Sequence, residues 1–124
     1  AVSFPAWEAE ESIRQPLSES KRLVQRTMRQ AVTGGGSEVI HITKRGLSGA
    51  QGRVTLGEGM QLQWRETGSQ KWSREDRRWS FDPAGSCEAL QIRVEGKHGY
   101  GELVFHPLTA LVMDEVYETR GNGK

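Results

Sequence analysis

Three groups of residues in this chain are of the types that do chemistry: one cysteine, Cys87; the histidines His41, His98 and His106; and the segment Lys71-Trp72-Ser73-Arg74-Glu75-Asp76-Arg77-Arg78-Trp79. Nucleophilic catalysis needs a Ser or Cys beside a His and an orienting acid. No nucleophile-elbow sequence surrounds Cys87, which sits between a turn serine and a glutamate at a strand start. A free thiol in that setting reads as a small hydrophobe. The histidines lie in three separate segments without metal-ligand spacing. His41 alternates with Ile40 and Ile42 and should point outward from a strand. His98 falls in a turn and His106 precedes Pro107, so surface or hydrogen-bonded roles are expected for all three. The glycine clusters fail as phosphate loops. Gly34-Gly35-Gly36 has Val39 where a dinucleotide fingerprint needs its third glycine, Gly99-Tyr100-Gly101 has Val104 there, and Gly96-Lys97 lacks the earlier glycine of a Walker loop. The residues predict no enzyme, no cofactor and no metal site.

The 71–79 segment is different. Its cations Lys71, Arg74, Arg77 and Arg78, with the indoles of Trp72 and Trp79, form the mixture that neutralises a phosphate backbone and stacks on bases. Glu75 and Asp76 halve the local charge. Three readings stand side by side: a surface loop whose Trp79 plugs the core with Phe81 while the arginines pair or stay solvated, a protein–protein contact, or a nucleic-acid site. In the last, Lys71, Arg74, Arg77 and Arg78 meet phosphates and Trp72 stacks. Trp79, two residues before Phe81, should share its inward face in an extended segment.

The elements that must position these residues follow from periodicity. After an acidic and aromatic start (Phe4, Pro5, Trp7, Glu8, Glu10, Glu11), Leu17, Val24, Met28, Ala31 and Val32 fall within an arc of about 100°. That spacing predicts one amphipathic helix through Val32, entered near Pro16 or, with Ile13 on the stripe, earlier, and ended by Gly34-Gly35-Gly36. Arg22, Arg26 and Arg29 lie away from the stripe and form a basic row, either a solvated face or a candidate subunit interface. Strands are expected over 38–44, 52–56, 60–66, 88–95, 100–106 and 111–117. In them, Leu62, Trp64, Leu90, Ile92 and Val94 face inward. Residues 67–79 read as a long loop and 118–124 as a tail. The fold class is α+β: a long N-terminal helix packed on about six or seven antiparallel strands, in one domain spanning 1–124.

Length and charge agree. The chain has 124 residues, enough for one domain. Its 17 Lys and Arg balance 16 Asp and Glu to a formal charge of +1, which argues against a polyanion-coating protein as a global reading. Apolar residues make up 35%, with a mean hydropathy of −0.65, enough for one modest core. One cysteine excludes an intrachain disulfide. No 18-residue apolar run occurs.

This order of elements resembles the globular part of type IV pilin-like proteins, more narrowly the H-type minor pseudopilins of type II secretion and the FimT-like minor pilins. Three stretches carry the resemblance: Leu23-Val24-Gln25-Arg26-Thr27-Met28-Arg29-Gln30-Ala31-Val32 at the helix end, Phe81-Asp82-Pro83-Ala84-Gly85 before the late strands, and Phe105-His106-Pro107-Leu108-Thr109 before the last strand. Many pilin-like hairpins carry glycine where Ala110 stands here. The resemblance implies a non-enzymatic subunit that joins other pseudopilin or pilin subunits in a periplasmic fibre. It implies an inner-membrane anchor through an apolar helix that would precede Ala1, a head in the periplasm, and a head that is monomeric on its own. Some FimT-like relatives bind DNA for uptake, which makes nucleic acid the alternative partner.

Overall fold

The computed structural model of the chain describes residues 6–97, 99–108 and 112–119. Helix α1 runs from Ala6 to Gly34. It starts well before Pro16, which therefore lies inside it and removes one helical hydrogen bond. It ends at Gly35, whose φ of 71° is the left-handed conformation that glycine adopts cheaply. The Gly35 amide donates back to the Ala31 carbonyl at 3.1 Å.

Ile13, Leu17, Val24, Met28 and Ala31 are buried, as the stripe predicts, but Val32 is 48% exposed. Leu23, Ser20 and Thr27 are buried in its place. The buried arc is thus rotated from the predicted one by roughly 60°, toward Leu23 and Thr27. Thr27 can enter the core because its hydroxyl donates to the Leu23 carbonyl at 2.7 Å.

Nine antiparallel strands follow among the described residues, in two sheets. The first sheet has the order β3 (Gly52–Thr55), β2 (Gly46–Gly49), β1 (Glu38–Thr43), β5 (Arg77–Asp82), β6 (Ser86–Cys87). The second has the order β4 (Gln61–Glu66), β7 (Leu90–Gly96), β8 (Gly99–Phe105), β9 (Val112–Thr119). The expected six or seven strands are exceeded because β2, β5 and β6 do not announce themselves: β2 is short and glycine-bounded, β5 opens on the charged pair Arg77-Arg78, and β6 has two residues. Residues 77–79 accordingly belong to a strand rather than to the loop before it, and β9 reaches Thr119, inside the expected tail. The amide of Leu62 donates to Lys44 at 2.8 Å and that of Cys87 to Pro107 at 2.7 Å, tying one sheet to the other.

One buried cluster joins α1 to the inward faces of both sheets. Trp79 and Phe81 are fully buried, with ring centres 5.1 Å apart, and Phe105 meets Trp79 edge-on at 5.4 Å. The inward placement of Ile40, Ile42, Leu62, Leu90, Ile92 and Val94 holds as expected; Trp64 is only half-buried. Burying each such large side chain stabilises by about 1.5–3 kcal/mol.

Candidate functional site

The loop after β4 folds back over the outward face of the second sheet. Trp64 and Ser73 form an isolated antiparallel bridge, with amide–carbonyl distances of 2.9 and 2.8 Å. That bridge sets Trp72 against the sheet, where the Arg65 guanidinium lies 4.3 Å and the Arg93 guanidinium 5.7 Å from its ring centre. Arg93 also stacks on Tyr100 at 3.8 Å and donates to Glu102 at 3.0 Å, its partner across β7 and β8. Arg65 is oriented by a hydrogen bond from its Nε to the Gln91 side chain. The result is an alternating row of cations and rings, Arg65, Trp72, Arg93 and Tyr100, a favourable arrangement for ring quadrupoles.

Beside this row opens a cleft of about 730 Å³. Gln63, Arg93 and Glu95 line it from the sheet, and Lys71, Trp72, Arg74 and Glu75 from the loop. Gln63 is buried and donates to Glu95 at 3.2 Å. Lys71 and Arg74 are exposed.

The residues expected to act together in this segment are split among three places. Lys71, Trp72 and Arg74 share the cleft. Arg77 is not free for a phosphate: it donates to Glu88 at 2.7 Å and to Glu66 at 3.4 Å, with its guanidinium 4.5 Å from the Trp64 ring centre. The reason is strand parity, since β5 turns Arg77 to the same side as buried Trp79 and Phe81. Arg78 points the other way, onto the outward face of the first sheet, opposite His41. Trp79 donates its indole N–H to the Glu88 carbonyl at 3.0 Å and is fully buried, as its spacing from Phe81 predicts.

On the helix, Arg22, Arg26 and Arg29 are exposed. Arg22 donates to the Ser18 hydroxyl at 3.3 Å and Arg26 to the Gln51 carbonyl at 3.0 Å. Arg26 therefore reaches the turn between β2 and β3, so the row does not face wholly away from the sheets. The rotation of the buried arc accounts for this. Arg22, Arg26 and Arg53 of β3 line one groove there, with Glu19 among them. Arg53 was not singled out by sequence reasoning, because only the β2–β3 register places it.

His41 is exposed, as expected, and His106 accepts from the Leu108 amide at 3.1 Å. His98 and Ala110 lie outside the described residues. Cys87 is half-buried, and burial, with the Glu88 carboxylate adding to it, pushes its thiol pKa from 9.0 up to about 11. A thiol held in its protonated form is a poor nucleophile. No helix among the described residues is long and apolar enough to cross a membrane. Comparison with protein-family models, with curated proteins and with solved structures gave no match to this chain.

Proposed function

We propose that this chain is a non-catalytic assembly subunit of the minor pseudopilin type, whose head joins other such subunits in a periplasmic fibre anchored in the inner membrane. The observation that carries the reading is the disposition of α1. From Ile13 to Ala31 one flank of the helix is bedded against both antiparallel sheets, while Arg22, Arg26 and Arg29 stand exposed on another. A helix held this way is a rigid rod with a charged side, and charge at the rim of a contact sets orientation and partner choice more than affinity.

The test is reversal of Arg22, Arg26 and Arg29 together to Glu in the full-length gene product, read in its own host. Circular dichroism of the isolated head should be unchanged, while fibre assembly or export fails. Normal assembly by the triple variant removes the helix row from the interface. Absence of any fibre or export defect on deleting the gene overturns the reading as a whole.

A further inference from the structure

The outward face of the first sheet carries a second, independent feature. Register places Thr43, Gly46 and Thr55 in one row across β1, β2 and β3, and His41, Ser48 and Arg53 in the next. Gly46 has a φ of 148° and no room for a side chain: a Cβ there would stand 1.9 Å from the Val54 carbonyl oxygen. A groove of about 180 Å³ runs past Gly46, with Thr43 and Thr55 among the residues that line it.

Every polar side chain lining that groove can donate a hydrogen bond: Thr43, Arg45, Ser48, Arg53 and Thr55. No carboxylate stands among these lining residues. Arg45 is fixed, since its guanidinium donates to the Met60 carbonyl at 3.1 Å and the Leu56 carbonyl at 3.2 Å. Both acceptors are neutral, and Arg45 makes no ion pair among the described residues. The Thr43 hydroxyl oxygen accepts from the Arg45 amide at 3.1 Å, which positions the oxygen and leaves its proton to donate. Arg53 makes no ion pair among the described residues. Across the sheet, Arg78 stands in the same row beyond His41, about 14 Å from Arg53 at the usual strand spacing.

We propose that this groove is an oxyanion site for a phosphate group, held by the Arg53 guanidinium and the hydroxyls of Thr43, Ser48 and Thr55, with Arg45 as a fixed positive charge. Donor-only linings of this kind recognise tetrahedral anions, because charge-assisted bonds to phosphate oxygens outweigh those to neutral ligands. The site lies on a different face from the 71–79 cleft, and it meets the helix row at Arg53, which also borders the groove of Arg22, Arg26 and Glu19.

The experiment is a ¹H–¹⁵N NMR titration of the 124-residue chain with inorganic phosphate and, separately, with methyl phosphate, each matched in ionic strength by sodium chloride. Saturable shifts confined to the amides around Thr43, Gly46, Ser48 and Thr55 are expected. Arg53→Gln should weaken the apparent affinity by about tenfold, and Arg29→Gln should not change it. Equal affinity for the two probes assigns the site to a phosphorylated partner, and a clear preference for inorganic phosphate assigns it to the free ion. Shifts that are linear, that sodium chloride reproduces, or that survive Arg53→Gln undiminished overturn the proposal.

Discussion

The guanidinium of Arg77 lies 4.5 Å from the centre of the Trp64 ring, and this single contact decides how the most chemically suggestive segment of the chain is used. Trp64 closes one end of the core, and its indole N–H donates to the Glu75 carbonyl at 2.8 Å, pinning the loop that leads into β5. Arg77 then lies over the ring and meets Glu88 and Glu66. A cation that reads in the sequence as a phosphate ligand thus serves as a lid on the core.

Arg77→Ala should therefore destabilise the fold, and its neighbour should not. The Arg77 side chain is 18% exposed, but Glu88 and Glu66 are 46% and 66% exposed, so solvent screens much of the ion-pair energy. Adding the cation–π contact and the packing of the stem, a loss of about 1–2 kcal/mol is expected. Arg78→Ala, on the exposed side of the same strand, should stay within about 0.5 kcal/mol. Urea unfolding of both variants checks this, and equal midpoints would remove Arg77 from its structural role.

The two valines of the helix stripe make the second pair. Val24 is fully buried and Val32 is 48% exposed, although both fit the same apolar arc in the sequence. Val24→Asp places an unpaired carboxylate in the core and should leave the chain unfolded or severely destabilised. Val32→Asp should cost less than about 0.5 kcal/mol. Thermal melts distinguish the rotated buried face from the predicted one: a collapse of the Val32 variant would restore the original phase.

Much of this fold is legible before any coordinates, and the parts that are not have a common cause. The helix and the alternating strands β1, β4, β7 and β8 declare themselves because one face of each is buried and periodicity records burial. What periodicity cannot record is which chain segment lies across another. Leu23, which lies beside Gly52 and Val54 of β3, and Thr27 are buried by tertiary packing that no local period records. Arg77 and Arg78 are adjacent in sequence and opposite in role because β5 pairs with β1, and the polar sequence of 67–79 hides that pairing. Arg65, Arg93 and Tyr100 share one sheet face through cross-strand register, and the Trp64–Ser73 bridge brings Trp72 to the two arginines. Arg53 joins Thr43 and Ser48 in the same way.

Cys87 supplies a pH-dependent test. Folding raises its thiol pKa from 9.0 to about 11, so the folded state binds that proton more tightly than the unfolded state does. The corresponding stability is complete below about pH 9 and is lost as pH rises toward 11. At pH 8 the thiolate fraction is about a hundredth of that of an unperturbed thiol, and alkylation should be slower by a similar factor than in the urea-unfolded chain. The rate in the folded protein should climb about tenfold per pH unit up to about pH 11. Fast alkylation at pH 8 would mean that the Cys87 site opens readily.

The last test concerns Trp72, the residue on which a nucleic-acid reading of the loop depends. A base-stacking indole needs a free face, and here the ring is half-buried with Arg65 4.3 Å from its centre. Of the cations in its segment, Arg77 is held by carboxylates and Arg78 is on the other sheet, so Lys71 and Arg74 remain near it. Two phosphate contacts on a single strand give a log–log salt slope of only about −1.4, too little electrostatic free energy for tight binding. A gel-shift titration of single-stranded DNA at two salt concentrations should show no saturable complex. Trp72→Ala should instead lower stability by about 1–2 kcal/mol, through lost contact with Arg65 and the sheet. Tight, salt-sensitive binding that Trp72→Ala abolishes, with stability unchanged, would require the indole to leave Arg65 for a base. The row of cations and rings on the second sheet would then be a binding surface rather than a brace.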